Sequence, residues 1–133
     1  MQAGKHTHTI REPFDKALKL IRRALAEADL SVVGEFDATG TFGRKAGRKS
    51  ERSTILLVDC PILAFEAQAL DRAARVFFPL HVFVWSEGDR TRLSTMGFVD
   101  LFDVRLPSGA AQPIGKLQAR IAAALETVLT RPG

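Results

Sequence analysis

The chain reads as an α+β domain. The fold class it predicts is a single mostly antiparallel sheet of about five strands with helices packed on one face, in the order β-α-β-β-α-β-β-α. Three observations lead there. Two apolar segments, STILLVD over 53–59 and LHVFVWS over 80–86, flank a helix-like stretch that opens at Cys60-Pro61. Three other stretches repeat apolar residues at three- and four-residue spacing, the period of a helix. Strand-like segments 30–37 and 53–59 follow one another without a helix, as do 80–86 and 90–96, which calls for antiparallel neighbours.

Residues 5–11, KHTHTIR, form a short strand on which His6, His8 and Ile10 share one face. Pro13 suits a first helical turn, where its missing N–H has no partner to lose. Phe14, Ala17, Leu18, Ile21, Ala24, Leu25 and Ala28 then make the apolar stripe of a helix over 13–28. Lys16, Lys19, Arg22, Arg23 and Glu27 cover its other side, and Asp15 faces the positive end of the helix dipole. The strand 30–37 contains Gly34, a candidate bulge. Residues 38–52, rich in Gly, Thr and basic side chains, form a loop between two strands.

Asp59 is the expected N-cap of a helix over 61–74, with Leu63, Ala64, Ala67, Leu70 and Ala74 inward. Its acids Glu66 and Asp71 stand five apart and are not neighbours on the helix surface, so they make no acid/base pair. Pro79 precedes the strand 80–86. Glu87-Gly88-Asp89 carries hairpin turn chemistry, and 90–96 is its half-exposed partner. Phe98–Val104 is a short apolar segment and Pro107-Ser108-Gly109 a loop. From Pro113 a last helix sets Ile114, Leu117, Ile121, Leu125, Val128 and Leu129 on one stripe.

A chain of 133 residues, 46% apolar and 26% charged, is expected to be one domain over 1–133 with a core of its own. Its single cysteine, Cys60, rules out an intramolecular disulfide and a cysteine-rich zinc site. The first ten residues contain no apolar h-region, and the longest mostly apolar uncharged run, Val76–Ser86, is far short of a membrane span. The expectation is a cytoplasmic protein with no membrane partner. The net charge of +4 is local: five basic residues and one acid between Thr41 and Arg52 account for all of it.

From the Phe14 helix through DCPILA to FPLHVFVW, the order of motifs resembles the domain of unknown function 302 family. That family shows an amphipathic first helix, a strand ending in Cys-Asn-Pro-x-x-Ala, a second helix, and a Pro-Cys step into a Val-rich strand. Pro61 and Ala64 match the first motif, and Pro79, Val82 and Val84 the second, within about residues 8–100. Asp59 stands in place of the motif's Cys, Cys60 in place of its Asn, and Leu80 in place of the second Cys, so no thiol role carries over. The resemblance implies a compact α+β domain, often dimeric, with no assigned reaction.

Read directly, the residues favour a non-catalytic ligand- or partner-binding protein. His81, Phe83 and Trp85 share one strand face, which suits a small apolar ligand or a second subunit, with Cys60 and Asp59 at the neighbouring corner. The partner expected is a second copy of the chain, in a homodimer. An alternative is anion or nucleic-acid binding through Arg44, Lys45, Arg48, Lys49 and Arg52. That loop has no P-loop spacing and no aromatic interleaving beyond Phe42, so a solvated loop is the simpler reading and no nucleic-acid partner is expected. A weaker alternative is a metal or thiol protein using His6, His8, Cys60 and His81. No paired carboxylates, nucleophile elbow or dinucleotide fingerprint is present, so no cofactor is expected.

Overall fold

In the computed structural model, residues 7–39, 51–95 and 111–129 are described. Strand β1 (Thr7–Ile10) leads into helix α1 (Phe14–Glu27), then strands β2 (Ser31–Asp37) and β3 (Ser53–Asp59). Helix α2 (Pro61–Leu70) and a 3₁₀ segment (Arg72–Phe77) precede strands β4 (Leu80–Glu87) and β5 (Arg90–Thr95), and helix α3 (Ala111–Glu126) follows. The expected order of elements holds. The five strands form one sheet in the order β1-β5-β4-β3-β2, every pairing antiparallel. The two apolar segments flanking the Cys60-Pro61 corner are direct neighbours, with Leu56 opposite Val82 and Ile55 opposite Phe83.

One face of the sheet is filled. Ile10, Leu56, Val58, Val82, Val84 and Leu93 alternate onto it and are buried. The stripe of α1 meets them with Phe14, Ala17, Leu18, Ile21 and Leu25, and α3 adds Ile114, Leu117, Ile121 and Leu125. Helix α2 contributes Leu63, Ala64 and Ala67. No described helix is long and apolar enough to cross a membrane.

Local chemistry explains where elements stop. α1 closes with Leu30 N–H on the Leu25 carbonyl at 3.0 Å and Asp29 N–H on the Ala26 carbonyl at 3.0 Å. This is a Schellman closure, and it holds Asp29 at φ 59, the left-handed region. Between Val32 and Gly34 the β2–β3 register slips by one residue, so Gly34 lies at the expected bulge. Gly88, at φ 65, makes the tight β4–β5 turn.

Three details differ from expectation. The cap of α2 is Cys60 and not Asp59, whose carboxylate instead accepts the Cys60 N–H at 2.8 Å. The helix ends at Leu70 rather than running to 74, because Asp71 turns extended and its side chain accepts the Ala73 N–H at 2.9 Å. Leu70, placed inward by the helical period, is therefore 60% exposed, while Ala74 reaches the core from the 3₁₀ segment. Met96, Phe98–Val104 and Pro107-Ser108-Gly109 lie outside the described residues.

Candidate functional site

Among the described residues, the second face of the sheet is open. Alternation along the strands and the pairing register arrange its side chains in rows that cross the sheet. The central row runs Phe36, Ile55, Phe83, Ser94, Thr7. One flanking row is Gly34, Leu57, His81, and the other is Ser53, Trp85, Arg92, Thr9. Phe36 is 57% exposed and Phe83 39%, whereas the residues one step away on the other face, such as Leu56, Val82 and Val84, show nothing to solvent.

The face has two halves. β2, β3 and β4 present Phe36, Ile55, Leu57, Phe83 and Trp85. β5 and β1 present Arg90, Arg92, Ser94, Thr7 and Thr9. At the boundary the Phe83 and Trp85 rings stack at 5.3 Å, and the Arg92 guanidinium lies 5.9 Å from the Trp85 ring. Arg92 also reaches Glu87 at 3.4 Å. Opposite Gly34, the Leu57 side chain lies so close that an added Cβ would be 3.2 Å from its terminal carbon.

His81, Phe83 and Trp85 thus stand together on the open face, as the strand period predicts. Cys60 and Asp59 do not join them in solvent. Cys60 is 2% exposed, and Arg120 of α3 places Nη1 3.1 Å from its sulfur. Asp59 is 4% exposed and pairs with Arg75 at 3.2 Å. These contacts tie the end of β3 to the 3₁₀ segment and to α3, so the corner is built as a structural junction.

Arg44, Lys45, Arg48, Lys49 and His6 lie outside the described residues. Arg52 is engaged at the start of α1: it bonds Asp15 at 2.6 Å and lies 4.7 Å over the Phe14 ring. His8 sits opposite Leu93 on the helix-covered face, and His81 is on the opposite face. Among the described residues no group of three His, Cys, Asp or Glu side chains could hold a metal ion. Glu66 is held by Lys116 at 3.2 Å, and Asp71 caps the 3₁₀ segment.

The sequence reading missed Phe36, Ile55 and Leu57 as parts of the open face. The signal was present in two places. Residues 55–58 are apolar at both parities, which in an antiparallel sheet means that both faces of β3 carry apolar side chains. Phe36 stands two residues from Gly34, which fixes its side of the sheet once the bulge is placed.

The fold and this face define a class: a two-layer α+β domain with helices on one side of an antiparallel sheet and an exposed, aromatic-bearing opposite side. Within that class the chain belongs to the domain of unknown function family DUF302, whose model matches residues 6–128. The crystal structure of an uncharacterized conserved DUF302 protein from Bacillus stearothermophilus is similar in fold, with a TM-score of 0.76 at 17% identity. The match covers 92% of this chain and 96% of that one. No curated protein matches the chain.

Proposed function

We propose that this domain is a non-catalytic binding module and that the open face of its sheet is the recognition surface. The observation that carries this reading is the Phe36–Ile55–Phe83 row, apolar side chains that reach solvent from the edge strand β2 and from β3 and β4, whose other side is packed against the helices. Rings held on a hydrogen-bonded sheet are already ordered, so a partner that covers them need not immobilise them. Contiguous exposed apolar surface of this kind marks interaction sites. Two groups that could do covalent or acid/base chemistry, Cys60 and Asp59, are buried and occupied by guanidinium groups, which supports binding over catalysis at that corner. The occupant class is apolar: a small hydrophobic molecule or an apolar protein surface.

Trp85 is the chain's single tryptophan, so its fluorescence reports on this face alone. Titration with anilinonaphthalene sulfonate, an apolar dye, is expected to quench Trp85 by energy transfer. Phe83→Ser is expected to weaken dye binding by about tenfold, from the lost apolar contact of one ring. Equal binding by both proteins, or none by the wild type, overturns the reading.

A further inference from the structure

Building on the open face as recognition surface, we infer that its occupant is a free amphiphilic carboxylate of the medium-chain fatty acid class. Its alkyl chain lies along the Phe36–Ile55–Phe83 row and its carboxylate is held by Arg92. The face changes chemistry in one direction. Its apolar half ends at β4, and the next strand, β5, brings Arg92 opposite Trp85 and Ser94 opposite Phe83. A wholly apolar occupant would leave the guanidinium beside it unanswered, whereas one with an anionic end answers both halves.

Arg92 selects the head group. Among the described residues, its Nε is the one buried side-chain nitrogen or oxygen with no hydrogen-bond partner. A buried donor without an acceptor is costly, so an oxygen that reaches it is favoured beyond simple charge attraction. What that edge of a guanidinium binds is visible elsewhere in the same chain. Arg22 points Nε and Nη2 at the two carboxylate oxygens of Glu35, at 2.9 and 2.7 Å. This is the two-pronged geometry that matches a carboxylate. The Arg92 side chain is 35% exposed and its guanidinium rests 5.9 Å from the Trp85 ring, so it can turn its Nε edge toward a ligand lying on Trp85 and Phe83.

Charge agrees. Among the described residues on this side of β4 and β5, two guanidinium groups, Arg90 and Arg92, stand against one carboxylate, Glu87. The Arg92 Nη1–Glu87 distance of 3.4 Å is well beyond the roughly 2.7–2.9 Å of a tight charge-assisted bond, so Glu87 leaves Arg92 incompletely neutralised. A single negative charge completes the balance, and a polyanion exceeds it. Length sets the chain. Phe36, Ile55 and Phe83 stand on three adjacent strands spaced about 4.8 Å apart, so the row is roughly 10 Å long. An extended alkyl chain of about eight carbons, with C–C bonds of about 1.5 Å in zigzag, covers it.

Titration of the full chain with octanoate and, separately, with 1-octanol, followed by Trp85 emission, tests this. The two probes share the alkyl chain and differ in the charged end. Octanoate is expected to bind at least about tenfold more tightly, although 1-octanol is the more apolar of the two. Arg92→Gln is expected to erase that preference while changing 1-octanol affinity by less than about threefold. Arg92→Lys, a point charge without the fork, is expected to restore the preference only in part. Glu87→Gln removes the competing carboxylate and is expected to tighten octanoate by about threefold. Arg23→Gln, on the exposed side of α1, is expected to change either affinity by less than about twofold. Urea unfolding of each variant establishes that it is folded. Octanoate binding no tighter than 1-octanol, or a preference that survives Arg92→Gln, overturns the carboxylate as head group. Binding of the dye and 1-octanol to Trp85's face would then leave the recognition reading standing, whereas a wild type that binds neither probe nor the dye removes both.

Discussion

Truncating Arg75 to alanine should destabilise the domain by about 2 kcal/mol. The Asp59 carboxylate is almost wholly out of water and has two partners, the Cys60 N–H at 2.8 Å and Arg75 Nη2 at 3.2 Å. A hydrogen bond to a charged group contributes about 1.5–3 kcal/mol, and breaking a fully buried ion pair costs about 3–5 kcal/mol. The upper range does not apply, because the Arg75 side chain is 46% exposed and water both screens the pair and can enter the space it leaves. For a domain of this size the loss corresponds to a fall in Tm of roughly 5–10 °C and a urea midpoint lower by about 1 M. Asp59→Asn in the Arg75→Ala background should recover much of the loss, since a neutral amide can still accept the Cys60 N–H and needs no cation. Urea unfolding of the two single variants and the double variant measures this as a cycle. An Arg75→Ala protein within about 0.5 kcal/mol of wild type would show that the Asp59 carboxylate does not depend on its guanidinium, and the account of the corner as a structural junction would fall.

Cys60 should react with Ellman's reagent only when the domain opens, at under about 1% of the rate seen in urea; rapid labelling of the folded chain would contradict its burial under Arg120. Asp29→Gly should raise stability by up to about 1 kcal/mol, because it relieves a non-glycine residue at φ 59 in the α1 closure; thermal unfolding checks this. Hydrogen bonds from the Thr39 side chain and backbone N–H, with Arg52 nearby, hold the Asp37 carboxyl below its ordinary value. A depressed folded value means that Asp37 stabilises the fold at neutral pH and loses that contribution as pH falls through its own titration; NMR titration of its carboxyl and a flatter acid limb for Asp37→Asn test the sign.

The fold was legible because period and punctuation agree along most of the chain. The seven-residue stripe of α1, the apolar run of β4 and the Gly88 turn agree with one another, and together they point to an antiparallel sheet under helices. The end of α2 was not legible. The helical period runs unbroken from Leu63 through Leu70 to Ala74, and what stops it is Asp71 bonding the Ala73 N–H, a local competitor that periodicity does not register. Half of the site was visible, since His81, Phe83 and Trp85 share parity on one strand. The other half needed the register. Only the pairing of Ile55 with both Phe36 and Phe83 shows that three apolar side chains from three strands meet. The arginines that enclose the corner, Arg75 and Arg120, are 15 and 60 residues from Cys60 in sequence, and no local pattern announces them.

The slipped residue in β2 has a consequence for growth of the sheet. β2 is a boundary strand of the sheet, and its outward amide and carbonyl groups could in principle template an incoming extended chain. The extra residue between Val32 and Gly34 throws those groups out of step partway along, so a straight newcomer could bond one end of β2 or the other but not both. Elongation into a fibre is thereby discouraged at the β2 margin, even though a greasy surface lies beside it.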